Sequence, residues 1–270
     1  MGLARRPVAL NQTTATAHPR ADFTSNCTHS YLKLGRLWRE LAPIKNWRNP
    51  RRGGFAQFWG PPSRAGEWSF NATRVLDADG TDAASLSRAE VEGRLQVYEL
   101  MERFLRPRVP GFEQSFVAWT AAKIGVRETR RIVGEYVLTE EDIWNFRKFP
   151  DVINCGSCPI DIHLPGTNGK DTDFPDQHFY GGKYWTIPYR SLLPVKVDNL
   201  LVAGRCLSAT HEALSAVRCI ANTTGMGEAA GTAAALSLRH GVAPRALEVS
   251  ILQRELLSRR VWLGVEGAAD

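Results

Sequence analysis

The residues most suited to chemistry lie between 196 and 240, KVDNLLVAGRCLSATHEALSAVRCIANTTGMGEAAGTAAALSLRH. The apolar run 199–203 is short and bounded by Asp198 and Gly204, as a buried parallel strand would be. Gly204 at its end lets the main chain approach a ligand closely, and ligands of open α/β sheets bind just beyond such strand ends. The stretch 223–238 then crowds Gly225, Gly227, Gly231 and several alanines into one predicted helix, capped by Thr223 or Thr224 and ended by Gly241. Its first turn would offer unpaired N–H groups and partial positive charge to an anion or an electron-rich carbonyl. Tight helix packing accounts for the same glycines, so the pattern alone is only moderately specific.

Other groups could serve the same site. His163 in PIDIH and His211 in SATHEAL are candidate acid/base groups, since imidazole exchanges protons near neutral pH. Arg127, Arg130 and Arg131 in VRETRRI could hold a carboxylate bidentately, with Arg127 and Arg131 on one face of a predicted strand and Arg130 on the other. Tyr189 and Arg190 suit either the substrate side or packing. Each histidine also reads as a hydrogen-bonded structural residue, and at least one arginine as a surface charge.

Cys155 and Cys158 form a CxxC pair, which can be a redox dithiol or half of a metal site. The other three cysteines, Cys27, Cys206 and Cys219, show no metal-ligand spacing, so two reduced thiols in a loop is the expectation and no metal is assigned. An odd count at irregular spacings does not make a secreted disulfide framework.

The elements that must position these groups follow from patterning. Residues 77–82 (DADGTD) read as a turn. A helix is expected from near Arg88, capped by Ser85 or by a Ser87–Glu90 capping box, with Val91, Leu95, Tyr98, Met101 and Leu105 on its core stripe and its end before Pro107. Strands are expected at 116–120 and 128–137, and Thr139 should cap a short helix opened by Glu140, Glu141 and Asp142. Residues 149–183 read as loop with a short strand at 159–163, and 184–193 as a strand and turn.

The phrases DNLLVAGRCLSATHEALSAVR and GMGEAAGTAAAL closely resemble the C-terminal flavin-binding signature of an FAD-dependent oxidoreductase family. That family belongs to the glutathione-reductase-like flavoproteins and is often described beside one of the heterodisulfide reductase polypeptides. The resemblance extends upstream through FNATRVLDADGTD, RAEVEGRLQVYEL, VPGFEQSF, IGVRETRRIVGEYVLTEEDI, PIDIH and IPYRSLLP, covering about residues 70–240 in the expected order. It implies FAD as cofactor. Ala203, Gly204 and Arg205 would then lie near the ribityl and phosphate region, and Gly225, Met226 and Gly227 near the pyrimidine edge. It further implies an α/β fold: an incomplete Rossmann-like FAD-binding domain with a mixed α+β substrate region.

Such enzymes also carry a GxGxxG loop for the ADP part of FAD, and this sequence contains none. Two readings follow: a flavoenzyme acting on a small, anionic organic substrate, or a non-catalytic piece whose flavin site is completed by a partner chain bringing that loop. The expected organisation is a disordered or non-native start at 1–33, a substrate region at 34–195, the end of the FAD domain at 196–241 and a closing helix and tail at 242–270.

Composition bounds the remaining classes. The 270 residues are 43% hydrophobic and 23% charged, ordinary for a globular protein long enough to bury a core. The opening residues lack the apolar stretch of a secretory signal and no run spans a membrane, which makes the cytoplasm the default. The net charge of +6 concentrates at 34–52, where Trp38 and Trp47 interleave with basic residues. Such a segment can bind single-stranded nucleic acid, but no recognisable module surrounds it, so no nucleic-acid partner is assigned.

Overall fold

The computed structural model describes residues 66–162 and 183–264, together with the two-residue strands β1 (Thr13–Thr14) and β2 (Phe58–Trp59). His163, the basic segment 34–52 and the start at 1–33, apart from the β1 backbone, lie outside the described residues. The chain divides into two compact units, one comprising Met1–Val126 with His163–Lys170, the other Arg127–Ile162 with Asp171–Asp270.

In the first unit, β3 (Ser69–Phe70) pairs antiparallel with both β1 and β2. Helix α1 (Ala83–Glu99) starts earlier than the serines predicted, because Asp82 takes the cap position and accepts from the Ser85 N–H at 2.7 Å. The predicted apolar stripe is corrected too. Val91, Leu95 and Tyr98 are 61%, 39% and 65% exposed, while Ala89, Gln96 and Val97 face inward; of the expected stripe, Met101 and Leu105 are buried. Gln96 decides that rotation. Its buried amide donates to the Arg74 carbonyl at 2.8 Å and accepts from the Arg74 N–H at 2.9 Å, clamping an extended segment to the helix.

Nor does the helix stop before Pro107. A π-helical segment, Leu100–Leu105, continues α1 and leads into α2 (Arg106–Arg108). A proline has no N–H and its ring collides with the carbonyl four residues back in regular α winding. The wider i→i+5 turn, closed by the Arg106 N–H on the Met101 carbonyl, removes that collision. Leu100, Met101, Phe104 and Leu105 on this wide turn are all buried.

The second unit contains α3 (Glu140–Trp144), β4 (Val152–Gly156), β5 (Trp185–Pro188), α4 (His211–Val217), α5 (Ile220–His240) and α6 (Val249–Ser258). Thr139 caps α3 as expected, in a capping box with Asp142. The Asp142 carboxylate also accepts from the Tyr136 hydroxyl at 2.8 Å and from Arg147 at 2.9 Å. Thr139→Ala should cost about 1 kcal/mol, since it removes one member of the cap and leaves the others in place. The denaturation midpoint measures it.

Strands β4 and β5 form an antiparallel pair with a bulge between Val152 and Asn154. β4 lies inside the stretch read as loop, and 159–162 forms no strand. Both strands are largely buried because α5 and α6 pack on β4. Gln253 of α6 donates to the Pro150 and Val152 carbonyls at 2.8 and 3.1 Å.

The three remaining predicted strands do not form. Residues 116–120 and 128–137 make isolated bridges only, and 199–203 makes no ladder. A parallel strand needs a neighbour alongside, and here the Val202 N–H reaches the Leu192 carbonyl at 2.9 Å without continuing. What the described residues show is helices with two small antiparallel sheets, compatible with the α/β expectation but without its parallel core. No described helix is long and apolar enough to cross a membrane.

Candidate functional site

Residues 127–138 are held in place by main-chain bonds to the connection that precedes α4. The Ile132 N–H donates to Cys206, Leu138 to Ser208 and Thr210 back to Leu138, at 3.0, 3.0 and 2.8 Å. Gly134 is required there, because a Cβ would sit 2.8 Å from that of Ser208, whose hydroxyl accepts the Gly134 N–H at 2.9 Å. This threading carries Glu128 to the first residue of α4. His211 Nδ1 lies 2.6 Å from the Glu128 carboxylate, which also pairs with Arg131.

A carboxylate can only accept, so the proton of a neutral His211 sits on Nδ1 and Nε2 is left as the basic nitrogen. The imidazole is half-exposed while Glu128 is mostly covered. The pair is therefore an oriented base within reach of solvent or a ligand. Sequence reading singled out His211 but missed Glu128, 83 residues away, for which no spacing signal exists.

The arginines separate. Arg127 reaches Asp161 at 3.4 Å, and Arg218 binds the same carboxylate at 3.0 Å and the Asp161 carbonyl at 2.8 Å. Arg131 is taken up by Glu128, and Arg130 is exposed. Arg190 is held by Asp151 at 2.9 and 3.3 Å. Tyr189 is fully buried with its hydroxyl on the Pro244 carbonyl at 3.0 Å, and burial pushes that phenol up to about 12. Of the alternatives weighed for Tyr189, packing holds.

Residues Ala203, Gly204 and Arg205 form the approach to a short 3-10 turn, Gly204–Cys206, that packs against α5. Gly204 has φ +83°, and among the described residues no atom lies within 4 Å of where a Cβ would point. Arg205 is exposed.

Helix α5 itself begins at Ile220 with Cys219 at the cap position, not at Thr223 or Thr224. Thr223 instead donates its hydroxyl to the Ile220 carbonyl at 2.9 Å. Gly225, Met226 and Gly227 consequently lie beyond the first turn, away from the unpaired amides. A Cβ on Gly225 would meet the Asn154 side chain at 2.6 Å, and that amide donates to the Asn222 carbonyl at 2.9 Å. Gly225 is thus the contact by which α5 seats on β4. Met226 is fully buried in the same core, and Gly227 is exposed with no described residue within reach of a Cβ there. The C-terminal stop is as expected: Gly241 adopts φ +65°.

Where FAD is concerned, the open positions Gly204 and Gly227 fit close approach by a flat ring, whereas Gly225 and the Met226 side chain are occupied by the protein itself. Among the described residues no group of three or more His, Cys, Asp or Glu side chains could hold a metal ion.

A family model described as FAD dependent oxidoreductase matches residues 12–256, reaching well beyond the motifs that carry the resemblance in sequence. No curated protein and no solved structure matches the chain.

Proposed function

Since the chain belongs to the FAD dependent oxidoreductase family, which binds FAD, we propose that it passes hydride or electrons between that flavin and a small, anionic organic substrate. The observation that carries this reading is the Gly204 turn, open at its positive-φ residue and lying against the small-residue helix α5. Bound FAD would supply the redox chemistry. The chain's own residues would bind and orient it: Ala203, Gly204 and Gly227 by close main-chain approach, and Arg205 by its charge. His211, oriented by Glu128, would move a proton at Nε2. Arg130, exposed two residues beyond Glu128, would attract an anionic substrate, and Arg127 would contribute to the same positive field.

Titrating the purified chain with FAD, followed by quenching of flavin fluorescence, tests the proposal. Gly204→Ala should weaken binding roughly tenfold, because its methyl enters the space through which the ring approaches. The strained φ should also lower stability by about 1 kcal/mol, and a variant that loses stability but keeps wild-type affinity would count against the site.

A second reading has its own support. Ile220 and Leu238 on α5 are 85% and 84% exposed, and Gly227 and Gly231 between them have open space beyond them. A partner chain carrying a GxGxxG loop would cover that face and complete the flavin site. Tight FAD binding by the isolated chain would defeat this second reading. The irregular cysteine spacing supports a cytoplasmic location for either, which cell fractionation would check.

A further inference from the structure

Helices α3, α5 and α6 end in the same motif, with a left-handed residue just past the cap. In α5 the left-handed residue is Gly241, but in α3 it is Phe146 at φ +50° and in α6 it is Arg260 at φ +65°. Both side-chain-bearing versions make the closing main-chain bonds. Phe146 and Arg147 donate to the Ile143 and Asp142 carbonyls at 3.2 and 2.9 Å, and Arg260 and Val261 to the Leu257 and Leu256 carbonyls at 2.9 and 3.0 Å. A side chain is strained in this conformation where glycine is not, and such strain concentrates at functional positions. Both strained residues lead into one surface.

Tyr184 is the centre of that surface. Its hydroxyl donates to the Gly264 carbonyl at 2.7 Å, and a Cβ on Gly264 would meet the ring at 2.5 Å. The Trp262 ring lies 4.6 Å from that of Tyr184. The Lys148 ammonium donates to the Tyr184 carbonyl and sits over the ring, 3.0 Å from its centroid. Lys183, the preceding residue, reaches the Phe146 ring at 5.5 Å. Trp262 stays 61% exposed, and Lys148, Lys183 and Arg260 are exposed with no carboxylate partner among the described residues. Asp142, Asp151 and Glu255 on the same segments are taken by Arg147, Arg190 and Arg259.

We propose that this surface docks an acidic protein partner, one apolar side chain of which covers Trp262 while its carboxylates meet Lys148, Lys183 and Arg260. An exposed indole among unpaired cations has the make-up of an interface anchor with a charged rim. The rim steers an acidic partner, and Trp262 supplies the contact that excludes water. Single-stranded nucleic acid fits less well, because it needs successive free rings, and Tyr184 and Phe146 already carry Lys148 and Lys183. An anionic membrane needs several apolar side chains to insert, whereas Trp262 is flanked by half-buried Val261 and buried Leu263. The strained arginine then has a reason: glycine would ease the turn but remove a cation from the rim. The inference is independent of flavin.

Fluorescence anisotropy of a labelled glutamate-rich peptide with one central leucine, titrated with the full chain, tests the proposal. Binding should saturate and weaken steeply with added salt. Trp262→Ala should weaken it at least about tenfold, and Lys183→Ala several-fold. Arg260→Gly should also weaken it several-fold while raising the thermal midpoint by a few degrees, since glycine relieves the left-handed turn. Those opposite changes in one variant separate docking from folding. No saturable binding at low salt, or equal affinity for a glutamate peptide without the leucine, would overturn the proposal. So would wild-type affinity in Trp262→Ala or Arg260→Gly, or tighter binding of oligothymidylate or of phosphatidylglycerol vesicles.

Discussion

Gly156→Val is expected to destabilise the second unit by at least about 3 kcal/mol, at the upper end of what overpacking costs. Gly156 lies directly across the β4–β5 ladder from Trp185, and a Cβ there would fall among the indole ring atoms. The ring has nowhere to go. It is fully buried, and its N–H is committed to the Cys158 carbonyl. Chemical denaturation of wild type, Gly156→Val, Trp185→Leu and the double variant measures the coupling. Each single change should be strongly destabilising, the second through a cavity and a lost hydrogen bond. Because valine would refill part of the space that the indole vacates, the double variant should be markedly more stable than the sum of the single effects implies. Additive losses would mean that the glycine is not there for the ring.

The other large effect is expected at the histidine–glutamate pair. His211→Asn should slow flavin reduction roughly 10²–10⁴-fold if Nε2 takes the proton in that step. Glu128→Gln should act less, about tenfold, since an amide still reaches Nδ1 but no longer dictates which nitrogen is protonated. Rapid-mixing spectroscopy of the flavin band, using whichever hydroxy or amino acid reduces wild type fastest, reads both. FAD affinity should be unchanged in each variant. Wild-type rates with bound FAD in His211→Asn would leave the imidazole a structural residue.

What the sequence revealed depended on whether local chemistry or distant packing decided the outcome. Thr139 and Gly241 were legible because a cap and a left-handed stop are set by the residue itself. Residues 184–193 were legible as strand and turn for a similar reason. The start of α5 was not: threonines are better caps than cysteine, yet the helix begins at Ile220, and Asn154 from β4 packs against its second turn. The α1 stripe was misjudged because a buried glutamine, polar and so discounted, outcompeted Val91 and Tyr98 for the inner face. At the candidate site, His211, Gly204 and the arginines were visible as residue types. Their partners Glu128 and Asp161 came from chain segments that only the fold brings together.

The wide winding before Pro107 also has a bearing on how the chain tolerates length changes. Relative to regular α winding, an i→i+5 turn accommodates one extra residue, so removing a single residue from Leu100–Leu105 should return the segment to regular winding with everything downstream keeping its orientation. The proline would then meet a carbonyl again. A one-residue deletion here is thus absorbed by the winding and felt only at the proline.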